Sequence, residues 1–490
     1  MDLINGILNV FEIHNLIYCF LGCLMGTLVG VLPGLGPAST LAILLPITMY
    51  LDATGAIVML AGLYYGAAYG GSTTSILVNI PGEGGSIPTC FDGYPMTKQG
   101  RAGEALWIAA VGSFIAGTLG AMAVSFTGPE LVKHALKFGP PEYTGLMFFS
   151  LTAIVSLSGA SITKGIGAGL AGMILATAGV DIVTGEARFR YGMIGMMRGF
   201  DVVPVAVGLF GISEILINAE AGLLKIYEGK LGKMMPRGKE LKKGLMASLR
   251  GSILGIPLGL LPGITPGVIA FLAYDMEKKI SKYPEKFGKG VIEGVASPEA
   301  ANNATAQANF IPLMCFGIPT GASMAIILAA LMMYGLKPGP TLFLQSKELV
   351  WTIIGSMYIG NVMLLILNLP LVGFWARIST LPYKYMAPII LAVCIVGAYS
   401  PRNTMFDVWV AFGVGITGYF MRKNDWPLPP LMLGFILGPM FELSLRQSLS
   451  MGGGPMIFFT RYVTVAFLAM AAIMLVISVK LGKRTSRQPR

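Results

Sequence analysis

One pattern constrains this chain more than any other. Gly22-Cys-Leu-Met-Gly26-Thr-Leu-Val-Gly30-Val-Leu-Pro33-Gly34-Leu-Gly-Pro37 returns as Gly251-Ser-Ile-Leu-Gly255-Ile-Pro-Leu-Gly259-Leu-Leu-Pro262-Gly263-Ile-Thr-Pro266. Glycine at every fourth position draws a smooth strip along one helix face, against which a second backbone can lie. Pro-Gly then breaks the helix. Four glycines and two prolines recurring in register mark a duplication.

The setting is a membrane. The chain has 490 residues, 54% hydrophobic and 12% charged, about half the charged share of a soluble protein. Ala105–Phe126, Val202–Ile217, Leu349–Phe374 and Val463–Val479 are apolar runs near the ~20 residues that cross a bilayer as helix. The net charge of +11 does not imply a nucleic-acid partner. Basic residues gather in Lys225–Lys243, Lys278–Lys289 and Lys480–Arg490, the positive-inside signature of cytoplasmic loops. The five cysteines and two histidines make no metal-ligand set. Cys19 and Cys23, one turn apart, read as small packing residues. The first 15 residues carry no Lys or Arg, unlike a cleavable signal peptide.

Other motifs recur in the same order. Gly70-Gly-Ser72-Thr73-Thr74-Ser75 precedes Asn79-Ile-Pro81-Gly82-Glu83-Gly84-Gly85-Ser86, and the apolar piece between them is too short to span. Polar, glycine-rich backbone at membrane depth must be buried in protein or line a wet cavity, which predicts a re-entrant loop. In the second half Ser297-Pro-Glu299-Ala-Ala-Asn302-Asn303-Ala-Thr305-Ala-Gln307 precedes Gly317-Ile-Pro319-Thr320-Gly321-Ala-Ser323. Gly112-Ser113 and Gly117 match Gly355-Ser356 and Gly360, and Glu214 matches Glu442 late in each half. Asp92-Gly-Tyr-Pro-Met, with Lys98 and Arg101, reads as a solvated turn.

Charge counts set an orientation. Residues 1–15, acidic, face outside; the linker 223–244 is cytoplasmic, its Lys225–Lys243 core carrying seven basic against two acidic residues. Repeat one, 16–222, then crosses an odd number of times, and repeat two, 245–450, is inverted relative to it. An extra helix over 451–480, with its core at about 456–479, returns the basic tail 481–490 to the cytoplasm. The expected fold is an all-α polytopic membrane protein of two inverted-topology repeats with broken helices and re-entrant loops. Basic loops on both sides of 245–276 further predict a hairpin whose tip is Pro262-Gly263. That tip is expected at mid-membrane, beside Pro33-Gly34.

The candidate site follows from these breaks. Backbone N–H groups after Pro33-Gly34 and Pro262-Gly263 suit an anion, although a simple interhelical loop also fits. Ser72, Thr73, Thr74, Gly82, Gly85, Ser86, Asn302, Asn303, Thr305, Thr320 and Ser323 could donate to a carboxylate or ligate Na⁺; they could equally cap helices. Acids within membrane segments mark ion pathways, which makes Glu83, Glu299, Glu214 and Glu442, with Asn79, the ion-coupling candidates. Enzymatic readings find no support: there is no His-Glu-x-x-His helix, no Gly-x-Ser-x-Gly elbow and no Walker loop. Tyr274-Asp275 matches half of an intramembrane aspartyl protease site, but the Gly-x-Gly-Asp half is missing. A passive channel remains an alternative to coupled transport.

Several of these stretches are shared with a known family. Tyr65-Gly-Ala-Ala-Tyr-Gly-Gly-Ser-Thr-Thr-Ser-Ile-Leu-Val-Asn-Ile-Pro-Gly82, Asp92-Gly-Tyr-Pro-Met-Thr-Lys-Gln-Gly100, Glu293-Gly-Val-Ala-Ser-Pro-Glu-Ala-Ala-Asn-Asn303, Gly317-Ile-Pro-Thr-Gly-Ala-Ser323 and Gly335-Leu-Lys-Pro-Gly-Pro340 resemble the TctA-type large membrane subunit of tripartite tricarboxylate transporters. Two positions depart from the family's usual pattern: Thr320, where Ile-Pro-Gly is common, and Glu83, where small residues are common. The resemblance implies a prokaryotic inner-membrane secondary transporter for citrate-like carboxylates, driven by Na⁺ or H⁺ and without a cofactor. It also implies two partners, a small TctB-like membrane subunit and a periplasmic TctC-like solute-binding protein.

Overall fold

Apolar runs punctuated by Pro and Gly fold here into helices almost throughout. The computed structural model describes residues 2–32, 36–158, 161–181, 183–220, 232–378, 383–452 and 454–485. The first half comprises α1 (Asp2–Val10), α2 (Ile13–Val31), α3 (Pro37–Thr48), α4 (Ala53–Val78), α5 (Thr89–Lys98), α6 (Ala102–Ala135), α7 (Pro140–Ser156) and α8 (Ile162–Ala176). A two-residue hairpin, β1 (Gly179–Val180) and β2 (Ala187–Arg188), leads to α9 (Val202–Ala206), a π-turn over Val207–Ile212 and α10 (Ser213–Glu220). The second half comprises α11 (Gly238–Gly259), α12 (Pro266–Ile280), α13 (Glu293–Ala308), α14 (Phe310–Phe316), α15 (Ala322–Met333), α16 (Pro340–Gln345), α17 (Lys347–Asn368), α18 (Val372–Ile378), α19 (Tyr383–Tyr399), α20 (Met405–Lys423) and α21 (Leu428–Ser450). It is followed by α22 (Ile457–Thr460) and α23 (Tyr462–Thr485).

Five of these helices, or six counting one bent pair, are long and apolar enough to cross a membrane. The protein is an all-α polytopic membrane protein. The extra helix expected over 451–480 corresponds to a pair, Gly454–Thr460 and Tyr462–Val476, bent by 87° at its break. The expected run Leu349–Phe374 likewise stops at Asn368, because Pro370 cannot continue a helix. Helix α11 starts at Gly238, inside the stretch read as a linker.

The glycine strips do the same work in both halves. A Cβ on Gly22, Gly26 or Gly30 would lie within 2.4 Å of the Met59, Leu63 or Ala67 carbonyl oxygen, so α2 lies backbone to backbone on α4. A Cβ on Gly251 or Gly255 would meet the Ser297 or Ala301 carbonyl oxygen at 2.2 and 2.5 Å, which places α11 on α13 in the same way. The helices after the two breaks both begin with proline, Pro37 and Pro266, where the missing N–H costs nothing. Helices α4 and α14 both end on a left-handed residue, Asn79 and Gly317, and Ile-Pro follows each. Across the halves, α17 seals α4 through Tyr65 Oη donating to the Ser356 carbonyl and Tyr69 Oη donating to Asn361. Cys19 and Cys23 pack, as read, against the Ser356 and Gly360 carbonyls.

The stretch 245–276 is a helical hairpin, as its flanking charges predict. Arg250 on α11 holds the buried Glu277 on α12 through Nε at 3.0 Å and a second guanidinium bond. Arg250→Met leaves that carboxylate uncompensated and is expected to cost about 3 kcal/mol. Its melting temperature in detergent should fall, and Arg250→Met/Glu277→Leu should recover most of the loss.

Candidate transport site at the junction of the halves

Helix α13 is polar in sequence, yet every residue from Gly294 to Ala308 is buried. Alanines make this possible, because their small side chains let three neighbours approach. Ser297, Ala301 and Thr305 face the α11 glycines, and Asn303 faces α6, donating from Nδ2 to Ser113 Oγ at 2.7 Å. Asn302 points toward the loop that follows α4, and Glu299 toward Thr89 at the start of α5.

That loop is where the halves meet. Gly82 has no room for a side chain, since a Cβ would sit 2.1 Å from the Gly30 carbonyl oxygen. Ser86 Oγ donates to the Glu83 carbonyl at 3.0 Å and accepts from the Glu83 N–H at 3.3 Å, closing a tight turn. Glu83 Oε1 then accepts from Asn302 Nδ2 at 2.6 Å. Gly85 lies flat on the Asn302 amide, and Gly84 touches Gly267 at the start of α12. Next to this, Thr89 Oγ1 donates to Glu299 Oε1. Among the described residues neither Glu83 nor Glu299 has a basic partner within 4.0 Å.

Residues 16–433 match the model of the tripartite tricarboxylate transporter TctA family. The chain belongs to this family. An uncharacterised 52.8 kDa protein of the TAR-I ttuC' 3' region of Agrobacterium vitis is 42% identical over 501 aligned residues, covering 99% of this chain and 98% of that protein. A second uncharacterised protein, of the TAR-II ttuC' 3' region of the same organism, is 41% identical over 219 residues, 44% of this chain and 90% of that protein. No solved structure matches the chain.

Within this TctA fold the sequence candidates divide into three groups. Gly82, Glu83, Gly85, Ser86, Glu299 and Asn302 come together at the junction just described. Pro262, Gly263 and Thr320 form a second place: Gly263, with φ +83°, donates its N–H to the Thr320 carbonyl at 3.1 Å and packs on Ala153 and Ser156 of α7. Ser323 is half-buried in the first turn of α15. Pro33 and Gly34 lie outside the described residues, and so does the expected contact between the two Pro-Gly breaks.

The third group lies in helices and ion pairs. Gly70–Ser75 is not loop but the interior of α4. There Ser72 Oγ bonds the Tyr69 carbonyl at 2.8 Å, Thr74 Oγ1 bonds the Gly71 carbonyl at 3.4 Å, and Thr73 is buried. Asn79 is the left-handed cap that ends the helix. Thr305 Oγ1 donates to the Ala301 carbonyl at 2.7 Å and the Gly255 carbonyl at 3.2 Å. Glu214 accepts from Arg422, Ser39 and Asn218, which makes it an ion-paired anchor between α10 and α20. Glu442 pairs with Arg188 and Arg446, joining α21 to the hairpin. The carboxyl of Asp181 in that network is held well below its usual range by the Thr184 hydroxyl, the Val183 N–H and the two arginines.

The expected solvated turn at Asp92 is the clearest correction. Residues 89–98 are helix α5, and Asp92 is fully buried under the loop before α13. Its carboxylate accepts from the Gly290 and Val291 N–H groups at 2.8 and 2.9 Å, from the Gly288 N–H at 3.0 Å and from Tyr274 Oη at 2.8 Å. Thr89 and Ser113 were also missed as site partners. Only their shared neighbour, α13, connects them.

Proposed function

We propose that this chain is the large permease subunit of a binding-protein-dependent secondary transporter. It imports citrate-like tri- and dicarboxylates by cation-coupled alternating access, with Na⁺ or H⁺ as the coupling ion. The observation that carries this reading is the junction between the loop after α4 and α13. Two carboxylates meet there, Glu299 fully buried and Glu83 half-buried, where one half of the chain touches the other, and among the described residues neither has a basic partner within 4.0 Å. Such acids are costly unless a mobile cation or proton neutralises them, and burial between repeats is where secondary transporters place coupled sites.

In this reading the two halves are inverted repeats, with the N-terminus outside and the C-terminus in the cytoplasm of a prokaryotic inner membrane. The substrate carboxylate is assigned to the first turn of α15, beside Ser323 and Thr320, where the N-cap Gly321 supplies no side-chain cap and a helix start favours an anion. The partners are a TctB-like small subunit and a TctC-like periplasmic binding protein that delivers the anion. The side chains of Asn302, Asn303 and Thr305 already donate within the protein, so this reading places the substrate's contacts first at the start of α15.

The test is uptake of labelled citrate into proteoliposomes holding both membrane subunits, with purified binding protein added outside. Uptake should require the binding protein and an inward Na⁺ or proton gradient, and Glu299→Ala should abolish it. Uptake indifferent to both gradients would identify a channel. Uptake without binding protein would remove the tripartite part.

A further inference from the structure

The hydrogen bonds at the junction leave an unusual remainder. Asn302 spends its Nδ2 on the Glu83 carboxylate, and Asn303 spends its Nδ2 on Ser113 and on the Glu299 carbonyl. Those acceptors fix which end of each amide is nitrogen, because a carboxylate or a carbonyl cannot donate. The atoms left over are therefore oxygens. Asn302 Oδ1, Asn303 Oδ1 and Glu299 Oε2 are buried and have no hydrogen-bond partner. Asn302 and Glu299 are 0% exposed. Residues 299, 302 and 303 lie within one turn of α13, on neighbouring positions of its surface.

A buried acceptor without a donor costs about 1–3 kcal/mol, so acceptors gathered in one place call for a water or a cation, and a carboxylate among them favours the cation. An anion is excluded by the two carboxylates. A transition metal would call for sulfur or nitrogen ligands, and this cluster offers oxygen alone. Each acid has also engaged one carboxylate oxygen with an internal donor, Asn302 Nδ2 for Glu83 and Thr89 Oγ1 for Glu299. That works against the bidentate chelation on which Ca²⁺ sites rely.

We infer that this junction binds one Na⁺, with Glu299 Oε2 and Asn302 Oδ1 among its oxygen ligands, in the field of the Glu83 carboxylate. Asn303 Oδ1, on the adjoining face, lies within the same turn. The role of Gly85 follows: a Cβ there would stand 2.1 Å from Asn302 Oδ1 and displace the ligand atom. The inference deepens the transport reading by naming the coupling ion, and rests on that reading for the ion's purpose alone. Binding can be measured without transport.

The experiment uses the full chain purified in detergent, at fixed pH and constant ionic strength, with NaCl replacing choline chloride. Two quantities are read, the melting temperature and equilibrium binding of radioactive Na⁺. The wild type should bind one Na⁺ per chain and melt at rising temperature as Na⁺ increases, while KCl has no such effect. Glu299→Gln, which keeps the side chain's shape and its place beside Thr89, should lose both responses. Asn302→Leu should weaken binding at least tenfold, and serves if the first variant does not fold. Absence of Na⁺ binding in the wild type would overturn the inference, as would binding that survives in either folded variant. A melting temperature that follows pH and ignores Na⁺ would overturn it in favour of a proton. If Na⁺ binds but citrate uptake ignores a Na⁺ gradient, the site stands and the transport reading falls. If uptake is proton-driven and no Na⁺ binds, the site falls alone.

Discussion

Replacing Asp92 by Ala is expected to destabilise the protein by about 3–5 kcal/mol, the cost of removing one member of a buried charged set. The carboxylate gathers three backbone N–H groups from 288–291, and two of the glycines there hold the left-handed conformation that curls the amides inward (Gly288 φ +84°, Gly290 φ +99°). Such a turn is an anion-binding concavity, here filled by the protein's own side chain. Without Asp92 the Gly290 and Val291 donors lose their partner, and Tyr274 loses its acceptor. The loop also fixes the start of α13, because a Cβ on Gly294 would come within 2.2 Å of Asp92 Oδ2. The melting temperature in detergent should drop steeply. Asp92→Asn, which keeps the shape but presents an N–H₂ to these donors, should recover no more than part of the loss. A change of under 1 kcal/mol for Asp92→Ala would show that the carboxylate does not hold this loop.

Gly255→Leu should be worse still. The new Cβ would lie 2.5 Å from the Ala301 carbonyl oxygen and 3.1 Å from the Ala304 Cβ, and backbone on both sides leaves nothing to move aside. Overpacking a tight contact costs about 1–3 kcal/mol even for a methylene or two. Here a whole isobutyl group must separate α11 from α13, which carries Glu299 and Asn302. Detergent-solubilised protein should elute as aggregate on size exclusion. Gly413→Ala is the control, since a Cβ there meets nothing within 4 Å. That change should be neutral or stabilise α20 by up to about 1 kcal/mol through helix propensity. Equal behaviour of the two variants would refute the idea that the strips are backbone contacts.

The glycine strips were legible in the sequence because their spacing is itself the contact: four residues is one turn, and glycine is what a carbonyl at van der Waals distance requires. Gly70–Ser75 was not legible as helix. Glycine, serine and threonine have weak helix propensity, and propensity pointed to a loop. Burial reversed that outcome. Gly70 presses on the Thr27 carbonyl, where a Cβ would sit at 2.4 Å, and Ser72, Thr74 and Ser75 satisfy their hydroxyls on carbonyls of their own helix. Asp92 was misread for a related reason. A charged residue beside Gly, Pro and Lys looks solvated until its partners, nearly two hundred residues away in the chain, close over it.

The sequence by itself determined the solvent, the helical class and the family, and it located the break at Pro262-Gly263 and the glycine strips of both halves. These are local properties: hydropathy over a span, spacing over a turn, the missing N–H of proline. What the polar residues do was decided only by the tertiary structure. Glu214 and Glu299 are both buried acids, and the neighbours of neither along the chain show which distant side chain will meet it. Arg422 pairs with one, while the other accepts from the Thr89 hydroxyl at the start of α5 and, among the described residues, has no basic partner. Whether a buried charge is paired or left without a cationic partner depends on which distant side chain arrives beside it. That is a property of packing.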